Sequence, residues 1–163
     1  MPDLLFQGLQ QYASRHQLRL AAQLGSGIHG LVHVALKQET LQECAVKAHH
    51  ELQYYTSERD AYFRLRRANS HDIRGLNVPQ LLNWDHDLRV IEMSIVRKPF
   101  LLDFAGATLD HRIEFPEEVW REWEKEKREQ FGTRWPAVQQ IISELEGFGI
   151  YLNDVSPRNI AWE

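Results

Sequence analysis

The chain has a single cysteine, Cys44, among its 163 residues. An intrachain disulfide is therefore excluded, and a lone thiol suits a reducing compartment, so the expected location is cytoplasmic. No apolar run approaches the ~20 residues that a bilayer-spanning helix needs, and no membrane partner is expected. Met1 to Gln17 has neither a basic start nor a continuous apolar stretch, so no secretory signal is expected there. An excess of basic charge is missing too: 19 Lys and Arg stand against 23 Asp and Glu, a formal net charge of −4. Nothing in that balance calls for nucleic acid. Internal repeats and low-complexity tracts are also lacking. What is present is 43% hydrophobic residues and five Trp, ample for a packed core. The length fits one domain, or two small lobes sharing a cleft.

The stretch that organises the rest is Gly25-Ser26-Gly27-Ile28-His29-Gly30, a G-x-G-x-x-G run. Glycines at this spacing let backbone turn tightly and approach a ligand with no Cβ in the way. Free N–H groups in such a turn suit phosphate oxygens. A dinucleotide-binding fingerprint of this form must open a helix. Here Leu31 to Leu36 is β-branched and apolar and reads as a strand, Lys37 to Leu41 as a turn, and Glu43 to Ala48 as a second strand. Leu18 to Leu24 reads as the strand entering the glycines. The pattern predicts a hairpin lid, with His29 as an exposed residue at its tip; a catalytic or ligand-sensing role for His29 is the alternative.

Gly25, Gly27, Gly30 and Val32 resemble the G-x-G-x-x-G-x-V lid of the protein-kinase-like family, and Ala45-Val46-Lys47 resembles its lysine-bearing strand. Near the other end, Tyr151-Leu152-Asn153-Asp154-Val155-Ser156-Pro157-Arg158-Asn159-Ile160 resembles the catalytic loop of that family, with Asp154 and Asn159 at the family spacing. The resemblance implies an α+β fold: a five-stranded antiparallel lobe with an N-terminal helix over residues 1–95, and an abbreviated helical lobe over 96–163.

The chain in order supplies the expected parts. Leu5, Leu9, Tyr12 and Ala13 have helical spacing. His49 and His50 are adjacent, so their side chains diverge and no metal pair is expected. Tyr54 to Arg67 reads as a helix capped by Thr56 or Ser57, with Glu58 in its first turn. Asn69 to Asn77 reads as a polar loop. Val78 to Asp85 and Leu88 to Val96 read as the last two strands. Ala107 to Phe115 reads as a loop. Pro116 to Gln130 and Pro136 to Leu145 read as helices, the first with acids in its opening turn.

By resemblance, Ser26 to Gly30 would cover the phosphates of ATP, with Val32 and Ala45 lining the cleft. Lys47 would hold the α and β phosphates, oriented by Glu58. Backbone of Glu92, Met93 and Ser94 would meet an adenine edge, with Ile91 as back wall. Asp154 would accept or orient the attacking hydroxyl, and Asn159, with Asp154, would hold Mg²⁺. Two departures stand out: Leu152 and Asn153 replace the loop's His and Arg, and no D-F-G follows Asn159, only Ile160-Ala161-Trp162-Glu163. Glu163 is a remote substitute for the missing metal-binding aspartate. The leading expectation is an ATP-dependent phosphotransferase, a minimal protein kinase homologue. The alternatives are a pseudokinase serving as a nucleotide-binding or interaction module, a fragment whose missing half comes from another chain, a small-molecule kinase of the aminoglycoside or sugar type, and a structural domain with no nucleotide site. Apolar surface at Trp120, Trp123, Trp135 and Trp162 is expected to call for a dimer or partner.

Overall fold

The computed structural model describes residues 3–163. Met1 and Pro2, the start of the segment read as lacking a signal, lie outside the described residues. Helix α1 (Leu4–Arg15) opens on Asp3, whose carboxylate accepts the Leu5 N–H at 3.0 Å. That satisfies one of the first-turn donors a helix leaves unpaired. Strands β1 (Leu18–Ser26), β2 (Gly30–Lys37) and β3 (Glu43–His49) follow as an antiparallel meander. Helix α2 (Leu52–Arg67) begins at Leu52 after Glu51, earlier than Thr56 or Ser57 would have capped it. Glu58 therefore sits in the second turn, on the buried face with Tyr55, Ala61, Tyr62 and Leu65.

The stretch read as a polar loop contains a hairpin, β4 (Asp72–Ile73) and β5 (Leu76–Asn77). Arg74 and Gly75 both take positive φ, the conformation a two-residue hairpin turn requires. Strands β6 (Leu81–Asp85) and β7 (Val90–Met93) are shorter than their apolar runs suggested. They complete a five-stranded sheet in the order β1-β2-β3-β7-β6, antiparallel throughout.

Alternation along β3 decides what each face does. Cys44, Val46 and Ala48 belong to the core that α1 closes with Leu9, Tyr12 and Ala13. Ala45 belongs to the second core, with Tyr55, Tyr62 and Leu65 of α2. Lys47 and His49 share the face of Ala45. Fully burying one apolar side chain contributes ~1.5–3 kcal/mol, so both faces hold the sheet.

Strand β8 (Phe100–Leu101) leads through a turn to β9 (Thr108–Leu109). Pro116 precedes α3 (Glu117–Phe131), a 3-10 turn links it to α4 (Trp135–Gly147), and β10 (Ile150–Tyr151) and β11 (Ile160–Ala161) close the chain. β10 pairs with β9, inside the stretch read as a loop. β11 pairs with β8, which extends to β5 and β4 in a small second sheet. Segments on either side of residues 95 and 96 are thus interleaved. The tryptophans are better covered than expected. Trp120, Trp123 and Trp135 stack edge to face with centroids 5.7 and 5.9 Å apart, Trp135 is buried, and Arg134 lies over the Trp162 ring. No helix of the described residues is long and apolar enough to cross a membrane.

Candidate functional site

A cavity of roughly 680 Å³ opens between the glycine lid, β3, the end of β7 and the loop between β10 and β11. Its roof is the β1–β2 turn, closed by the Gly27 N–H donating to the Gly30 carbonyl at 3.0 Å. Gly30 is fixed by packing: a Cβ there would stand 2.1 Å from the Ala48 carbonyl oxygen. Gly25 and Gly27 are different. Neither has positive φ, and a Cβ on either would meet nothing within 4 Å. Neither packing nor a positive φ demands glycine at these two positions.

Lys47 is the buried charge of the cavity wall, its side chain 7% exposed. Its Nζ lies 2.7 Å from Glu58 Oε2 and 3.2 Å from Asp103 Oδ1. Burial works against its charge, but the carboxylates of Glu58 and Asp103 outweigh that and hold its pKa above the usual lysine value. Burial likewise works against the Glu58 carboxylate. The charge of Lys47, together with the hydrogen bond and charge of His49, nevertheless brings Glu58 down to about 2. His49 is the part of this cluster that sequence reasoning missed. Its Nε2 is 2.8 Å from Glu58 Oε2 and its Nδ1 is 3.1 Å from the Arg89 carbonyl. The period-2 pattern of β3 was the available signal, since it turns His49 to the same face as Lys47.

Asp103 is the second residue that was missed. It follows β8, and the antiparallel pairing of β8 with β11 brings the Leu102 N–H to the Asn159 carbonyl at 2.8 Å. Asp103 and Asn159 thereby reach the cavity from adjacent strand ends. Asp103 takes φ +65 and its Oδ1 accepts the Ala105 N–H at 3.2 Å, a turn stabilised by its own side chain. Phe104 anchors that turn, fully buried and edge-on to Tyr62 of α2 at 5.0 Å. Asn153 Nδ2 donates to the Gly106 carbonyl at 2.9 Å and ties the turn to the residue beside Asp154.

Asp154 and Asn159 line the same cavity, and Asn159 Nδ2 donates to Asp154 Oδ2 at 3.4 Å. That contact commits the amide nitrogen to Asp154 and leaves the amide oxygen for another partner. Val155 and Ile160 are buried on either side of the loop.

Most of the residues expected here do line the cavity: Gly25, Ser26, Gly27, Gly30, Val32, Ala45, Lys47, Glu58, Met93, Ser94, Asp154 and Asn159. Ile91 and Glu92 do not. In the register Ala45↔Met93, Met93 stands beside Ala45 and takes the place expected for Ile91, while Glu92, opposite Val46, turns to the α1 face and accepts the Tyr12 hydroxyl at 2.7 Å. The Ser94 N–H is bonded to the Gln80 carbonyl, so the free edge of this segment lies at Ile95 and Val96. His29 is also misplaced by the exposed-tip expectation. Ile28 points outward, but the His29 ring folds inward against Tyr54 at 4.4 Å. Glu163 is exposed and does not line the cavity.

Asp103, Asp154 and Asn159 offer hard oxygen donors with no imidazole or thiolate, a set that suits Mg²⁺ rather than a transition metal. Among the described residues, no group of three or more His, Cys, Asp or Glu side chains gathers as a closed metal cage. No protein-family model matches the chain, and no curated protein matches it.

Proposed function

We propose that the chain is an ATP-dependent phosphotransferase with a kinase-like architecture, passing the terminal phosphate of Mg·ATP to a hydroxyl. One observation carries the reading: Lys47, Glu58, Asp103, Asp154 and Asn159, from four separate stretches of sequence, converge on one cavity roofed by glycines. Asp103 adds a further carboxylate to the same cavity from a stretch upstream of Asp154 and Asn159.

The lid N–H groups at the Ile28–His29 tip donate to phosphate oxygens, the Gly27 N–H being taken by the Gly30 carbonyl, and Lys47, held by Glu58, adds a fixed positive charge. Ile95 and Val96 offer backbone groups to a base edge. Asp103 and Asn159, with Asp154 beside them, would hold a Mg²⁺, which would supply neutralisation of phosphate charge. Asp154 takes the proton of the acceptor hydroxyl as its oxygen bonds to phosphorus, and the bond to the departing diphosphate breaks with its electron pair on the diphosphate oxygen.

The test is transfer of labelled γ-phosphate from Mg·ATP to the chain itself, to mixed protein substrates and to a panel of sugars and aminoglycosides, with Asp154→Asn as control. The reading requires transfer that disappears in Asp154→Asn while ATP binding persists. A folded chain with no saturable ATP binding contradicts it.

A further inference from the structure

The inward histidine of the lid has no role in the account so far. His29 is the fifth residue of the glycine run, and its position is set from three directions. Its carbonyl accepts the His50 N–H at 3.2 Å, which pins the lid to the end of β3. Its ring packs edge-on against Tyr54 of α2. Its far edge crosses the cleft to Gly106: the position a Gly106 Cβ would occupy lies 3.6 Å from His29 Nε2 and 3.8 Å from the Asp154 Cβ. The histidine of the upper wall and the aspartate of the lower one thus approach a single point at the mouth of the cavity.

The chemistry of the ring is directional there. Nδ1 is enclosed and has no hydrogen-bond partner. Nε2 also bonds to no described residue, but it lies on the Gly106 side, beside Asp154, and is the nitrogen able to meet a ligand. Lys47 stands under the roof, at the end of the cavity where the inner phosphates belong. If Asp154 handles the acceptor hydroxyl, the phosphate being transferred must lie next to Asp154, and therefore next to His29.

We propose that His29 Nε2–H is a hydrogen-bond donor to the terminal phosphate of the bound nucleotide, which makes His29 a specificity residue favouring a triphosphate over a diphosphate. The proposal rests on the nucleotide reading above. A donor at this point contacts an oxygen that ADP lacks, so its contribution falls on ATP alone. Gly106 matters for the same reason, because it keeps the space between the two side chains open.

The experiment is equilibrium binding of ATP, its non-hydrolysable β,γ-imido analogue and ADP, each with Mg²⁺, to the full chain and to His29→Ala and His29→Gln. Urea midpoints establish that both variants are folded. A hydrogen bond to a charged group predicts that His29→Ala weakens ATP and the analogue by about tenfold or more, with ADP changed less than about twofold. His29→Gln, which retains a donor, is expected to recover part of the loss. Equal weakening of ATP and ADP, or no weakening of either, overturns the role of His29 while leaving the nucleotide reading intact. Failure of the unsubstituted chain to bind any of the three overturns both.

Discussion

Asp103 Oδ1 lies 3.2 Å from Lys47 Nζ across 56 residues of sequence. The contact joins the middle strand of the five-stranded sheet to a turn of the second half, and the ammonium is shared between that turn and α2. Lys47 is held by Glu58 from above and faces Asp103 from below, so neither carboxylate can be neutralised without changing the other's environment.

Replacing Glu58 exposes this coupling. Glu58→Gln leaves Lys47 buried with one carboxylate and leaves His49 without its charged partner. Breaking a buried pair by removing one member costs about 3–5 kcal/mol, and a loss of that order is expected in urea unfolding. Asp85→Asn, at a half-exposed pair with Arg15, is expected to cost about 1 kcal/mol or less. Equal losses for the two variants would show that the Lys47–Glu58–His49 cluster is not a cooperative unit.

The same carboxylate predicts a pH dependence. Glu58 titrates at about 2 in the folded chain, below the usual carboxylate range. A depressed carboxylate adds stability that is fully present above the unfolded value, ~4.3, and is lost as pH falls toward the folded value. Stability measured from pH 6 down to 2 is expected to decline below about pH 5, with a contribution from this group of roughly 3 kcal/mol. In Glu58→Gln that part of the decline is absent.

The glycines of the lid separate into two kinds. Gly30→Ala drives a Cβ against the Ala48 carbonyl and is expected to destabilise the hairpin by about 2 kcal/mol or more. Gly25→Ala and Gly27→Ala meet no protein atom within 4 Å, so their melting temperatures stay close to that of the unsubstituted chain. Their effect appears in nucleotide binding instead, as weaker affinity. Thermal melts beside titrations with Mg·ATP distinguish the two, and loss of stability at Gly25 or Gly27 with unchanged binding would count against the roof as a phosphate cover.

Cys44 is expected to be silent toward thiol reagents. It is fully buried under α1, and burial, aided by Glu92, pushes its thiol up to about 12. The reactive thiolate is therefore scarce and inaccessible. Labelling with a chromogenic disulfide is expected only at the rate of unfolding, and rapid labelling of the native chain would contradict this burial.

Which parts of this arrangement could be read from sequence follows from the range of the interactions involved. β2 and β3 were legible because their residues alternate or run apolar over 7 or 8 positions, and α1 because Leu9, Tyr12 and Ala13 repeat at helical spacing. Glu58 was expected beside Lys47 only through the family resemblance, and the two side chains lie 2.7 Å apart. Which residues of β7 line the cavity was not legible, because the strand's register with Ala45 is encoded by no local pattern. Asp103 was overlooked for a topological reason. Its strand is two residues long, it precedes Asp154 in the chain, and only the pairing of Leu101 with Ile160 carries it to the cavity. His29 was read as exposed because a glycine-rich turn looks solvent-facing until Tyr54 is known to stand behind it.

The most direct test of the central claim is the Mg²⁺ dependence of ATP affinity in the unsubstituted chain and in Asp103→Asn, measured by titration calorimetry with and without EDTA. If Asp103 supplies the metal-holding carboxylate, Mg²⁺ tightens ATP binding by about tenfold or more in the former and has little effect in Asp103→Asn. An equal Mg²⁺ effect in both, or none in either, would contradict the account.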